Sequence, residues 1–443
     1  MGFQQGLSGL NAASKSLDVI GNNIANANTV GFKMAQTQFA DVYANSLSGA
    51  GAAGAGIGVR LQTVAQLFTQ GNITSTNNPL DVAINGAGFF RMSNNGAITY
   101  SRNGQFSLDK EGYMVNAQGS KLTGYSADLN GVLSTGSALP LNINTSDIPP
   151  KETDIVTGLL NLDSRALVPG TQVPVASPPV IVPVVFNIAD PLSYNNATSV
   201  SVFDSLGNSH VLQTFFVRRD PIATPPTIAG ATAEWDVFAA ADGIMIPAPP
   251  AVQAPIGKIG FNNLGKLVGA TPAFAATDPN ALAIAVPAPT GAITPISTTI
   301  KYDLTGSTQF GSSFSVNSIK QDGYTSGKLS KFNTAKDGTI VGSYTNGKTS
   351  VLGQVVLANF TNPNGLQSLG DNQWTETNAS GAALVGPPGT GSLGLLTSNS
   401  TEDSNTDLTG ELVNMITAQR VYQANAQTIK TIDQILQTLV NLR

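Results

Sequence analysis

Residues 1–30 read MGFQQGLSGLNAASKSLDVIGNNIANANTV, and in them Phe3, Leu10, Leu17 and Ile24 recur seven apart. Gly6, Ala13, Ile20 and Ala27 fill the second seam position of the same heptads, the pattern of an amphipathic helix that offers one apolar stripe to a partner. The second seam position is mostly small, so another helix can approach closely. About 25 helical residues span roughly 38 Å.

The opposite end carries a matching element. Leu408, Leu412, Met415, Tyr422, Ala426, Ile429, Leu436 and Val440 alternate at heptad spacings through the last forty residues, which predicts a second helix. Gln419 and Asp433 interrupt its seam, while Ile432 and Leu439 make the stripe drift around the helix. Ser404 with Asp407 three residues on reads as a capping box at its start. Such heptads serve either a core inside one globular domain or a partner helix. Both helices are terminal, and the chain between them reads as β, so the helical layer open to each is the other.

The interior is punctuated by Asn85-Gly86, Asn95-Gly96, Asn103-Gly104, Asn130-Gly131, Asp322-Gly323, Asp337-Gly338, Asn346-Gly347 and Asn364-Gly365, dipeptides that tolerate the positive φ of tight hairpins. Between them lie LDVAI, GFFRM, AITYS and VLGQVVLANF, short runs of strand length. From Pro169 to Pro295 the composition changes, with 18 of the 25 prolines there. Proline belongs at sheet edges and in loops, yet SVSVF, VLQTFFVRR, EWDVFAA and IGKIGF survive as strands, so this stretch reads as a separate β domain with long loops.

The expected organisation is a multidomain, mainly antiparallel β chain, sheet or barrel-like, with N- and C-terminal helices forming a coiled-coil-like assembly domain. Residues 1–30 and 404–443 form the helical domain. Residues 31–75 and 369–403 are connecting extended or Gly-rich segments, including the flexible Gly/Ala run NSLSGAGAAGAGIG at 45–58. Residues 76–150 and 300–368 form an inner β domain, and 151–299 an inserted outer one.

Composition narrows the function. Hydrophobic residues make up 41% of the 443 and charged residues only 11%, far below the usual quarter, so Asn, Gln, Ser and Thr must cover the surface. A net charge of -5 with 22 scattered basic residues gives no footprint for nucleic acid. No basic cluster leads an apolar stretch at the start, so no cleaved signal peptide is visible. No run reaches the ~18 apolar residues of a membrane span, and VIVPVVF is cut by Pro183.

With no Cys and one His, His210, the nitrogen and sulfur ligands of a structural zinc site are essentially missing, and a His-dependent nucleophilic triad has this one candidate base with no GxSxG elbow beside it. His210 reads as flanking a hairpin turn. GPPGTGS at Gly386 to Ser392 begins like a phosphate-binding loop but has Ser392 where the Lys must stand. Glu152 with Asp154, and Glu402 with Asp403, are loop acids, which are ordinarily solvated. No catalytic, cofactor or metal residue is assigned, and the chain is read as not an enzyme.

NNIANANTVGFK, residues 22–33, reads as a helix C-terminus in which Asn side chains cap orphan backbone groups and Gly31 takes positive φ. It also resembles the N-terminal signature of the axial proteins of the bacterial flagellum, carried here by Asn22, Asn23, Asn26, Asn28, Gly31 and Phe32. DLTGELVNMITAQRVYQANAQTIKTIDQILQTLVNL is similar to the C-terminal signature of the same family. Within that rod and hook family, NPLDVAINGAGFF, DLTGSTQFGSSFSVNSIKQDGYTSGKLS, VFDSLGNSHVLQTFFVRR and VGSYTNGKTSVLGQVVLANFTNPNGLQSLGDNQWTET resemble the hook subunits.

The resemblance implies a self-assembling subunit of a curved, flexible, extracellular tube that joins the basal rod to the filament. It also implies export through the flagellar type III apparatus without a cleaved signal, and contacts with the distal rod protein, the hook-filament junction protein and the hook cap. The assembly seam is expected at Phe3, Leu10, Leu17, Ile20, Ile24, Leu412, Met415, Tyr422, Ile429, Ile432, Leu436 and Leu439, with Leu17, Ile20 and Ile24 against Ile429, Ile432 and Leu436 in the assembled tube. Two alternatives stand beside it. A distal rod subunit shares both ends but lacks so large an insertion, and an extracellular β-rich adhesin or binding module leaves the terminal helices without a role.

Overall fold

The computed structural model describes residues 2–42, 56, 58–128, 131–173, 180–183, 185–219, 226–246, 254–275, 277–286 and 299–441. Only Gly56 and Gly58 of the Gly/Ala run 45–58 fall among them, and parts of the Pro-rich stretch lie outside them. The two expected helices are present as α1, Gly2–Ala25, and α2, Leu408–Asn441. The body between them is built of short strands.

The chain divides into two compact units. The first comprises residues 1–146, 329–343 and 349–443, and the second 147–328 and 344–348. The outer unit therefore extends past residue 299. The reason is pairing: Ile155–Asp163 lies parallel to Ile300–Asp303 and Thr308–Phe310 and antiparallel to Ser315–Gln321, so the chain does not leave this sheet until after residue 321.

In the first unit, α1 packs along α2 and against a hairpin of β1, Ala35–Val42, and β2, Gly58–Gln66. Residues 31–75 are thus more than a connector. The β body of the unit is a sheet of 13 strands with two two-stranded sheets beside it, counted among the described residues, over a core where aromatic rings meet edge-on, including Tyr100 with Phe360 at 4.7 Å and Phe89 with Trp374 at 5.8 Å. Residues 369–403 belong to this body. Gln373–Thr375 pairs with Ala97–Ser101, Leu395–Ser398 with Val82–Asn85, and Ser400–Glu402 with Ile73–Ser75. Strands of three or four residues leave too short an alternation to stand out from a Gly-rich background.

The second unit has two six-stranded sheets, counted among the described residues, around one core, and a two-stranded sheet of Gly170–Val173 and Val180–Pro183. Ala233–Ala241 sits centrally in one of them, between Ser209–Arg218 and Gly257–Phe261. It is buried on both faces, because Phe186 stacks on Phe238 at 4.1 Å on the side away from the main core. That double burial explains its near-continuous apolar run, EWDVFAAA. His210 follows the turn between Asn196–Phe203 and Ser209–Arg218.

Only some turn dipeptides close hairpins. Asn95-Gly96, with φ of 50° and 93°, joins the paired strands Phe89–Asn94 and Ala97–Ser101. Asp337-Gly338 and Asn346-Gly347 do the same for neighbouring strands. Asn364-Gly365 instead ends a single 3-10 turn, and Asn85-Gly86 leaves a strand whose partner lies near residue 396. Gly104 is required by crowding, since a Cβ there would lie 1.7 Å from the Val82 carbonyl oxygen. Asn130 lies outside the described residues. The same dipeptide serves any tight bend, and local sequence does not say which.

Candidate assembly interface

The helices run antiparallel, with Gly6 against Ile429, Gly9 against Asn425 and Asn23 against Glu411. On α1 the buried line is Gly6, Ala13, Ile20 and Asn23, and on α2 it is Glu411 and Ala418, with Asn425 and Ile429 half-buried. A Cβ at Gly9 would lie 2.8 Å from the Asn425 side-chain oxygen, so glycine here lets the Asn425 amide lie directly against α1. The contact is close, with Gly6, Gly9, Ala13 and Ala418 beside Ile20 and Ile429 and the amide-bearing Asn23 and Asn425.

This register corrects the expected seam. Ile20 is buried and Leu10, Leu17, Ile24, Met415, Ile429 and Ile432 are half-buried, but Phe3, Leu412, Tyr422 and Leu436 are exposed. The side chain of Leu439 lies outside the described residues. Within one chain Leu17, Ile20 and Ile24 stand opposite the first turns of α2, not opposite Ile429, Ile432 and Leu436. Asn23 sets this offset. Its Nδ2 donates to the Ala35 carbonyl at 2.8 Å and to Glu411 Oε2 at 3.1 Å, and its Oδ1 accepts from the Ala35 amide at 2.9 Å.

Asn23 is one of six expected signature residues, and the others divide by burial. Gly31 has φ of 71°, and a Cβ on it would lie 2.5 Å from the Asn103 amide nitrogen. Asn26 donates to the Asn22 carbonyl at 2.9 Å, and Phe32 is buried. Asn22 and Asn28 face outward. The start of α2 is capped by Asp407, whose carboxylate accepts from the Thr409 amide at 3.1 Å. Ser404 pairs with Thr406 instead, so the capping box is not formed.

Below the helices lies a charge cluster that sequence reading missed. Glu402, read as a solvated loop acid, is fully buried, with Lys33 Nζ at 2.7 Å and Arg102 Nη1 at 3.1 Å. Lys33 also donates to the Thr69 carbonyl, Arg102 to the Gly86 carbonyl, and the Gly71 amide to Glu402. Burial pushes the Lys33 ammonium and the Arg102 guanidinium below their ordinary pKa values, and Glu402 opposes that shift in both. The cluster clamps the chain leaving α1 and the chain entering α2 to the same body. Lys33 closes the quoted signature motif, and in a chain this poor in charge that was the available signal.

Between α1, β1, β2 and α2 opens a groove of about 580 Å3, lined by Ala13, Ile20, Phe39, Val59, Ala418 and Val421 among others. On α2, Val413, Ile416, Ile435, Leu436 and Val440 are exposed as well. Among the described residues, no helix is long and apolar enough to cross a membrane. What the site offers is apolar helix surface without a partner among the described residues, held at a fixed register.

Four family models match the chain. The flagella basal body rod protein model matches residues 3–33, the flagellar hook protein FlgE/F/G D1 domain 83–157, the flagellar basal body protein FlaE D2 domain 161–324 and the flagellar basal body rod FlgEFG protein C-terminal model 397–442. The flagellar hook protein FlgE of Salmonella typhimurium is 41% identical over 461 residues, covering 100% of both chains. The protein of the same name from Escherichia coli K12 is 41% identical over 100% of both. That of Borreliella burgdorferi is 33% identical, over 99% of this chain and 98% of the relative.

Proposed function

This chain belongs to the flagellar hook protein family, and from that premise we propose that it is a structural subunit of the bacterial flagellar hook, polymerising through its terminal helices into a curved, flexible tube that couples rod to filament. The observation that carries the reading is the exposed apolar stripe of α2. Leu412, Ile416, Leu436 and Val440 find no cover among the described residues, and exposed apolar surface of this kind marks an association site. Isolated helices are marginal in water, so helices that leave this much apolar surface exposed gain order from neighbours.

The role is structural, with no reaction, cofactor or metal assigned. Self-association is the main contact. The distal rod protein, the hook-filament junction protein, the hook cap and the type III export apparatus are the further partners, at the ends of the tube or along the export route. Export without a cleaved signal fits a terminal segment whose residues are needed intact in the assembled tube.

The test is electron microscopy of cells lacking the gene. Basal bodies without hook or filament are the expected result, and intact flagella overturn the proposal. A straight, stiff polymer from the purified chain favours a distal rod subunit, and a chain that forms no polymer but binds a surface favours the adhesin.

A further inference from the structure

The antiparallel register leaves the end of α2 unaccompanied. Gly6 meets Ile429 and Gly9 meets Asn425, so continuing the same register brings Gly2 opposite Ile432 or Asp433. The remainder, Gln434–Asn441, runs past the described start of α1. It is among the most exposed apolar surface of the chain, with Ile435 58%, Leu436 53% and Val440 71% accessible. Ile435, Leu436 and Val440 lie three, four and eight residues beyond Ile432, which puts them on one face of the helix.

We propose that this overhang is received by the groove between α1, the β1–β2 hairpin and α2 of a second copy of the chain, so that subunits join head to tail. The inference rests on the polymer reading and specifies which surfaces meet. An overhang cannot serve its own groove. Asn425 lines that groove, and Leu436 lies 11 residues further along the same helix, about 16 Å away.

The two surfaces match in chemistry. The groove is about 580 Å3, against ~30 Å3 for one water, so it has room for several aliphatic side chains set ridge into groove. Its apolar walls are Ala13, Ile20, Phe39, Val59, Ala418 and Val421, with uncharged Ser16, Gln36, Thr37, Asn414, Thr417 and Asn425 between them. Residues 434–441 carry no charge, and Glu411 at the groove's end is already engaged by Asn23 and Asn414. Docking therefore strands no ion away from water.

The geometry also selects a polymer over a dimer. Overhang and groove are different patches, so each copy gives one and receives the other, and such a heterologous contact joins copies head to tail into a ring or an open helical filament, not into a two-fold pair. A few side chains bury far less than the roughly 1,200–2,000 Å2 of a stable pair. The contact holds only where a lattice repeats it and adds others. It also supplies a place for the expected meeting of Ile20 with Leu436, which the register forbids inside one chain.

The chain has no cysteine, so introduced thiols report one contact each. Full-length Val421→Cys and Leu436→Cys subunits, each diluted in excess wild type if growth slows, are assembled and oxidised, then run on a denaturing gel without reductant. The expected result is a dimer band from tubes containing both variants, at least tenfold stronger than from either alone, and a ladder from the Val421→Cys/Leu436→Cys double variant. Tubes of normal appearance without that band overturn the docking. So does Leu436→Cys cross-linking to itself, or an intrachain link between Val421→Cys and Ala53→Cys, which assigns the groove to the chain's own segment. Failure of the wild-type chain to assemble at all counts instead against the polymer reading.

Discussion

Lys33 and Glu402, 369 positions apart, form a salt bridge of 2.7 Å with neither side chain reaching solvent. Arg102 completes the cluster from the β body. Replacing a buried ion cluster whole can be harmless, whereas removing one partner is not. Glu402→Gln leaves two buried cations facing a neutral amide and should destabilise the first unit by about 3–5 kcal/mol. Calorimetry on the full chain should show its transition fall while that of the second unit stays, and unchanged melting would remove the clamp from the account.

Two glycines of the N-terminal segment should respond in opposite directions. Gly31→Ala forces a side chain to positive φ and onto the Asn103 backbone, a cost of at least ~1–3 kcal/mol. Gly21 lies inside α1 with nothing within 4 Å of a Cβ, so Gly21→Ala should stabilise the unassembled chain by about 0.5–1 kcal/mol. Urea titration of both variants checks the pair.

High pH should weaken the second unit. Burial pushes the Tyr302 phenol up from 10.0 to about 12, with the Thr214 hydroxyl 3.4 Å away opposing. An acid whose folded pKa is raised contributes fully below its unfolded value and loses that contribution as pH rises from about 10 to about 12, here on the order of 2–3 kcal/mol. Tyr302→Phe should flatten the fall in melting temperature over that window. An equally steep fall in the variant would assign the effect elsewhere.

Leu436→Asp should separate assembly from folding. In the single chain the residue is 53% exposed, so the unassembled variant should melt within ~0.5 kcal/mol of wild type. In a tube the carboxylate would be desolvated at every subunit, a penalty of several kcal/mol. The expected outcome is secreted, folded monomer and no hook, whereas Lys110→Asp, on the exposed surface, should build normal hooks.

Truncation distinguishes the body of the first unit from its helices. A fragment of residues 71–403 keeps Trp374 and the Leu395–Ser398 strand that pairs with Val82–Asn85, and should fold as a soluble monomer. A fragment of residues 76–368 loses both and should expose the aromatic core. Tryptophan emission and sedimentation report the difference, and a fully cooperative 76–368 fragment would show the last strands to be dispensable.

The sequence alone determined the two helices, the β character between them, the insertion and the family, because heptads, turn residues and long signature motifs are local patterns. Tertiary structure decided what depends on partners far along the chain. Residues 300–328 joined the outer unit by pairing with Ile155–Asp163, and the Gly-rich stretch before α2 became strands whose partners lie about 300 residues earlier. Glu402 changed from surface acid to buried anchor for the same reason, since nothing in STED tells whether Lys33 and Arg102 will arrive. The helix register was equally out of reach. Heptads fix which face of a helix is apolar, but the offset between α1 and α2 is set by Asn23 bridging Ala35 and Glu411. That polar contact can form only once the chain has folded back on itself.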